Sequence, residues 1–189
     1  MKKIGILGGT FDPPHIGHLI IAETVRTSLD LDEIWFMPTN EPPHKNKANS
    51  TGLDRLKMVK LATEDNEYFK VNDIEMKRLG KSFTFDTMNI LMNEYKNEEF
   101  FFIIGADMVE YLPSWSRIDE LVQLVKFVGV QREGYELNSP YPFIKVDIPM
   151  IDISSTWIRK RLGVHASVKY LIPESVDAYI KENQLYENR

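Results

Sequence analysis

Two histidines three positions apart, His15 and His18, follow two glycines, Gly8 and Gly9, and the turn-forming run Asp12-Pro13-Pro14. Glycines let a backbone approach an anion closely, and the start of a helix favours negative charge. Histidine side chains at that start can donate hydrogen bonds to phosphate oxygens. Together these residues describe a nucleotide phosphate site. Taken singly, each of these histidines, like His44 further on, reads as a solvated loop residue; the glycine turn beside them favours the phosphate role. A metal site is the other alternative, since His at i and i+3 can share a face. There is no carboxylate triad nearby and no cysteine, so no metal ligand is assigned. Asp12 either orients a histidine or simply starts the turn, the usual role of Asp before Pro.

A second candidate anion site is Ser154-Ser155-Thr156-Trp157-Ile158-Arg159. Its hydroxyls and N–H groups open a helix, and Arg159, one turn on, can reach back to a phosphate. Alone it is a well-capped helix with a surface arginine. Two such helix starts facing one cleft would suit a triphosphate. Lys45, in the loop Pro42-Pro43-His44-Lys45, reads either as a cation that folds over phosphates or as a solvated loop lysine. Asp107, after an apolar strand, can accept ribose hydroxyls or cap the next helix. Trp115 is either an aromatic platform or a core residue.

The elements that must position these residues alternate along the chain. Lys2 to Leu7 is an apolar run of strand length, and a helix with Leu19, Ile20, Ala22 and Val25 on its apolar face follows the histidines. Glu33 to Met37 reads as a strand stopped by Pro38, and Thr39 to Ser50 as a polar loop. Leu53 to Glu64 reads as a helix whose apolar face carries Leu53, Leu56, Val59 and Ala62. A short strand is expected within Phe69 to Met76, and a helix from Thr84 to Tyr95 with Met88, Leu91 and Met92 facing inward. Phe100 to Ile104 is continuously apolar, as a parallel strand covered on both faces should be. Further on come a helix over Ile118 to Leu124, a strand over Lys126 to Val130 and a strand from Phe143 to Ile148. A capped helix then runs through Leu162, and a last helix starts after Pro173. Such alternation predicts one α/β domain over residues 1–189, doubly wound and Rossmann-like. It has a mainly parallel sheet, helices on both faces and a small C-terminal helical part. The strand ends at Gly8, Pro38, Gly105, Gln131 and Ile148 should line one cleft, because ligands bind beyond the carboxyl ends of such strands.

Composition narrows the partners. The chain has 189 residues, 43% of them hydrophobic and 27% charged, with a net charge of −5 and no cysteine. An acidic protein is unsuited to coating nucleic acid, so any phosphate must be held by a few placed groups. No apolar run reaches the roughly eighteen residues that span a bilayer, and the N-terminus has no signal-peptide pattern. Cytoplasmic residence is the expectation.

Gly9-Thr10-Phe11-Asp12-Pro13-Pro14-His15-Ile16-Gly17-His18, with Ile153-Ser154-Ser155-Thr156-Trp157-Ile158-Arg159, resembles the paired signature of the (T/H)xGH nucleotidyltransferase superfamily. Within it the chain is most similar to the bacterial nicotinate-nucleotide adenylyltransferases. The likeness extends to Pro42-Pro43-His44-Lys45, to 82–87, to 102–107, to Trp115, to Tyr170-Leu171-Ile172-Pro173 and to Leu185-Tyr186-Glu187. It implies that ATP and nicotinate mononucleotide give deamido-NAD and pyrophosphate, with Mg²⁺, by direct attack of the mononucleotide phosphate on the α-phosphorus. It also implies that His15, His18 and Arg159 serve catalysis. Gly8, Gly9, Thr10, Phe11, Lys45, Ser154 and Ser155 would bind ATP. Gly105 and Asp107, with Arg132, would hold the adenosine, and Phe83, Thr84 and Trp115 the pyridine nucleotide. The family commonly has tyrosine at the positions of Phe83 and Ser116. This chain keeps the stacking surface there and lacks those hydroxyls for the nicotinate carboxylate. The family often forms homodimers, and no residue here fixes an interface.

Pantetheine-phosphate adenylyltransferases share the first and last motifs but resemble residues 82–115 poorly. Class I aminoacyl-tRNA synthetases share His15-Ile16-Gly17-His18 but carry a lysine-rich second motif absent here. A non-catalytic ATP sensor would not need His15, His18 and Arg159 together.

Overall fold

The computed structural model describes residues 1–40, 48–78, 82–131 and 134–187. Its elements, in order, are β1 (Lys2–Gly9), α1 (Ile16–Ser28), β2 (Glu33–Pro38), α2 (Gly52–Thr63), β3 (Phe69–Val71), α3 (Thr84–Glu94) and β4 (Glu98–Gly105). Then come α4 (Ala106–Tyr111), a 3-10 turn (Leu112–Ser114), α5 (Ile118–Leu124), β5 (Lys126–Val130), β6 (Phe143–Val146), α6 (Ser155–Gly163) and α7 (Glu174–Glu182).

All six strands are parallel, in the order β3-β2-β1-β4-β5-β6. The order reverses between β1 and β4, so their carboxyl ends flank the crevice where ligands bind in doubly wound sheets. Leu7 pairs with Ile103, which carries Gly9 and Gly105 to the same edge of the sheet.

Alternating side chains explain why both faces are covered. Ile4, Ile6, Trp35, Phe100, Phe102 and Ile104 point to one side, where they pack with Met88 and Leu91 of α3 and with Ile118 and Leu121 of α5. Leu7, Ile34, Phe36, Phe101 and Ile103 point to the other, against Ala22 and Val25 of α1 and Val59 of α2. A third apolar cluster joins Met58 and Ala62 of α2 to Ile158 of α6 and to Val176 and Ile180 of α7. That cluster seats the C-terminal helices on α2, close to the end of β1.

Several expected boundaries shift for identifiable reasons. The strand expected within Phe69 to Met76 is only three residues, because 73–77 turn back through Met76 N–H to Asp73 O and Lys77 N–H to Asp73 O. The strand expected to reach Ile148 ends at Val146, where its pairing with β5 ends. The expected apolar face of α2 is rotated: Leu53 is 78% exposed, and Arg55, Met58, Val59, Ala62 and Thr63 are the buried residues.

Arg55 is 2% exposed because its guanidinium has a specific task there. Its Nη1 donates to Thr10 O (2.9 Å) and Thr39 O (2.6 Å), and its Nη2 to Asn40 O (3.0 Å). One fork thus ties the segment after β1 to the segment after β2. Arg55→Ala removes the donor from three carbonyls at about 1 kcal/mol or more each. Its urea unfolding midpoint is therefore expected to fall by an amount equivalent to about 3 kcal/mol, with Arg55→Lys recovering only part of the loss.

Candidate active site at the carboxyl ends of the central strands

The turn from Thr10 to His15 leaves β1 and delivers the first histidine to the N-cap of α1. His15 is buried, and its ring stacks on that of His18 with centroids 3.7 Å apart. The His15 backbone N–H donates to His18 Nδ1 (3.1 Å). The neutral His18 ring therefore carries its proton on Nε2, which makes that nitrogen a donor. Phe11 presents an edge to His18 at 4.9 Å between centroids. Two glycines make this packing fit. A Cβ on Gly17 would lie 3.0 Å from His15 Nδ1, and one on Gly9 would lie 3.1 Å from the Phe11 ring. Phe11 itself sits at φ 50, in the left-handed region that a non-glycine residue occupies at a cost.

Two N–H groups at the start of α1 are already engaged within the chain. Ile16 N–H donates to Leu171 O (2.9 Å) and His18 N–H to His15 O (2.9 Å). Leu171 belongs to the Tyr170-Leu171-Ile172-Pro173 motif, which thereby anchors the helix start.

The second motif arrives against the same turn. Ser154 caps α6, accepting from Trp157 N–H (3.2 Å). Ser155 Oγ donates to Pro13 O (2.8 Å), and Arg159 Nη1 donates to Asp12 O (2.7 Å). Arg159 Nη2 also reaches Thr156 Oγ1 (3.2 Å). Helices usually place acidic residues in the first turn, where they complement the dipole. Among the described helices, α2, α3, α4, α5 and α7 do so, whereas α1 and α6 carry none. The two helix starts that meet at this turn are the two left without an internal counter-charge.

Asp12 is the hub beneath them. It is 3% exposed, yet it accepts from Ser50 Oγ (2.5 Å) and Tyr186 OH (2.7 Å) on Oδ1 and from Asn49 N–H (2.7 Å) on Oδ2. Arg159 Nη1 lies 4.0 Å from Oδ2. Burial works to raise the carboxyl pKa. The hydrogen bonds from Ser50, Tyr186 and Asn49, with the Arg159 charge, overcome it and hold the group below the ordinary carboxylate range.

On the β4 side, Gly105 caps α4, and Asp107 lies in its first turn. The capping role that was one alternative for Asp107 thus falls to the glycine. Phe83 caps α3 and is 39% exposed, and Thr84 is the first residue of that helix. Trp115 is partly buried, edge-on to Phe102 (6.0 Å) and Phe127 (5.9 Å), so the core holds its ring in place. Arg117 lies 3.7 Å over the Phe85 ring and joins the Trp115 segment to the start of α3. Gly8 is exposed at the end of β1. Lys45 and Arg132, with His44, lie outside the described residues.

Arg55, Asn49, Ser50 and Tyr186 had no role from sequence, because each reaches the turn from a distant element. The only signal was the closing motif Leu185-Tyr186-Glu187, to which no chemistry attached.

A cytidylyltransferase-like family model matches residues 6–161. A Bacillus subtilis nicotinate-nucleotide adenylyltransferase is 51% identical over 100% of both chains. A Bacillus licheniformis protein named as a probable nicotinate-nucleotide adenylyltransferase is 54% identical over 99% of this chain and 100% of its own. The solved structure of Plasmodium falciparum nicotinic acid mononucleotide adenylyltransferase complexed with APC superposes with a TM-score of 0.82 at 22% identity, covering 98% of each chain. That likeness establishes the shared fold.

The charge balance at Asp12 has a measurable signature. A carboxyl with a depressed folded pKa contributes stability that is present above its unfolded value of about 3.9 and is lost as pH falls through the lower folded value. Unfolding free energy measured from about pH 7 down to about pH 2 should drop in that acid window for the unsubstituted protein. Asp12→Asn should start less stable at neutral pH and show a flatter acid decline.

Proposed function

The chain belongs to the nicotinate-nucleotide adenylyltransferases of the cytidylyltransferase-like family, nucleotidyltransferases of NAD biosynthesis, and we propose that it joins its substrates by direct in-line attack. In this reading the phosphate of nicotinate mononucleotide attacks the α-phosphorus of ATP. Deamido-NAD forms and pyrophosphate leaves, with no covalent enzyme intermediate. The reaction takes place in the cytoplasm, in one nucleotidyltransferase domain over residues 1–189.

The observation that carries this reading is the meeting of two helix starts free of acidic first-turn residues, with Ser155 on Pro13 O and Arg159 on Asp12 O. Phosphoryl and nucleotidyl transfer ask a protein mainly for alignment and charge stabilisation. His15 and His18 would donate to the ATP phosphates and to the oxygens that gain charge in the transition state. Arg159 has five N–H donors and spends few of them on Asp12 and Thr156, so it can serve the triphosphate from the α6 side. Gly8 to Phe11, Ser154, Ser155 and Lys45 would complete the phosphate cradle. Gly105 and Asp107, with Arg132, would take the adenosine. The pyridine ring would stack between Trp115 and Phe83 above Thr84. The described residues bring no three His, Asp or Glu side chains together as a metal site would. Mg²⁺ would enter with ATP on its phosphates and share their charge.

Pyrophosphate release should be measured with ATP and each of nicotinate mononucleotide, nicotinamide mononucleotide and phosphopantetheine. Turnover is expected with nicotinate mononucleotide foremost, and turnover only with phosphopantetheine, or none at all, would reject the assignment. His18→Ala should cut turnover by roughly several hundredfold or more, the range for losing one transition-state donor. Trp115→Ala should raise the KM for the mononucleotide by about tenfold through lost stacking, with the KM for ATP nearly unchanged.

A further inference from the structure

The closing motif of the chain ends at the back of the phosphate turn. Tyr186, at φ 66, lays its hydroxyl 2.7 Å from Asp12 Oδ1, 3.2 Å from Ser50 Oγ and 3.9 Å from Met58 Sδ. Ser50 is itself 2.5 Å from the same carboxylate oxygen. Two hydroxyl protons serve these contacts, and the two short distances place both on Oδ1. Burial and the Asp12 charge push the Tyr186 phenol up, so it stays a donor throughout the working pH range. The carbonyls of the same turn are held as well, Thr10 O by Arg55, Asp12 O by Arg159 and Pro13 O by Ser155. The side chain at its centre is fixed by the last segment of the chain and by Asn49-Ser50.

We propose that Tyr186 is a positioning residue for adenylyl transfer, acting through Asp12 to fix the turn that presents His15 and His18 to the nucleotide. The inference rests on the function proposed above. The Tyr186 hydroxyl is committed to Asp12 and Ser50 and not to either histidine, so its effect is on preorganisation. Loosening the turn leaves ground-state binding nearly intact and weakens contacts made fully only in the transition state, which lowers kcat more than it changes KM. A hydroxyl serving only the packing of the C-terminal segment would alter stability and leave kcat at low temperature untouched.

The test is a double-mutant cycle on the full chain, read as kcat, KM for both substrates and Tm. Tyr186→Phe keeps the ring and its packing, and is expected to lower kcat about tenfold with each KM within about twofold. Ser50→Ala, which removes the other hydroxyl from the same oxygen, should show the same kcat-selective loss. In an Asp12→Asn background, Tyr186→Phe should cost less than about twofold further, since the acceptor it positions has already lost its charge. A Tyr186→Phe enzyme with kcat within about twofold of the unsubstituted one overturns the inference while leaving the adenylyltransferase reading intact. So does a loss of about tenfold that persists unchanged in the Asp12→Asn background, or a loss confined to Tm. An unsubstituted chain that does not turn over ATP with nicotinate mononucleotide overturns the parent reading, and this inference with it.

Discussion

A carboxylate taken out of water costs several kcal/mol unless donors surround it, and most of the site's geometry follows from how Asp12 meets that demand. Its partners come from the segment before α2, from α6 and from the last residues of the chain. Each must be in place for the charge to be tolerated, so each is drawn to the turn between β1 and α1. The carbonyls of Thr10, Asp12 and Pro13 are held in the same way, and with them the left-handed Phe11. The short loop after β1 is thus braced from behind. The cost of the buried charge is offset by the order it imposes.

That bracing suits the chemistry of an overall acidic protein handling a polyphosphate. With a net charge of −5, the chain as a whole repels a polyphosphate more than it attracts one. In the function proposed above, placement takes over: two stacked histidines, one arginine with donors in reserve, and two helix starts lacking internal acids. Such groups act only where they point, since transition-state stabilisation depends on dipoles already oriented before charge develops. The β4 side of the crevice uses another device. Phe102 and Phe127 hold Trp115 by its edges, and Arg117 over Phe85 fixes the neighbouring helix start.

Much of this was written locally in the chain. The run Phe100 to Ile104 is apolar at every position, and only a strand covered on both faces uses such a run, so a central parallel strand could be read directly. Alternation of strands with helices of 3.6 periodicity pointed to the doubly wound sheet, and the glycines, prolines and histidines of 8–18 marked the turn after β1 as the candidate site. Leu53 was misplaced because helical periodicity reports an apolar stripe without reporting what it faces. In α2 the buried position goes to Arg55, whose three carbonyl partners come from Thr10, Thr39 and Asn40.

By itself, then, the sequence determined the alternating elements, on which of them the candidate phosphate residues sit, and at which edge of the sheet they gather. Those depend on spacing, propensity and the alternation of strands with helices, which are properties of neighbours in the chain. Only the tertiary structure decided that Ser155 and Arg159 seat on the carbonyls of Pro13 and Asp12, and that Asp12 is a buried hub closed by Tyr186. Those contacts join residues from opposite ends of the chain. Their energies come from desolvating a charge and satisfying it at once, and no local pattern records a bond whose partners meet only when the sheet and its helices have packed.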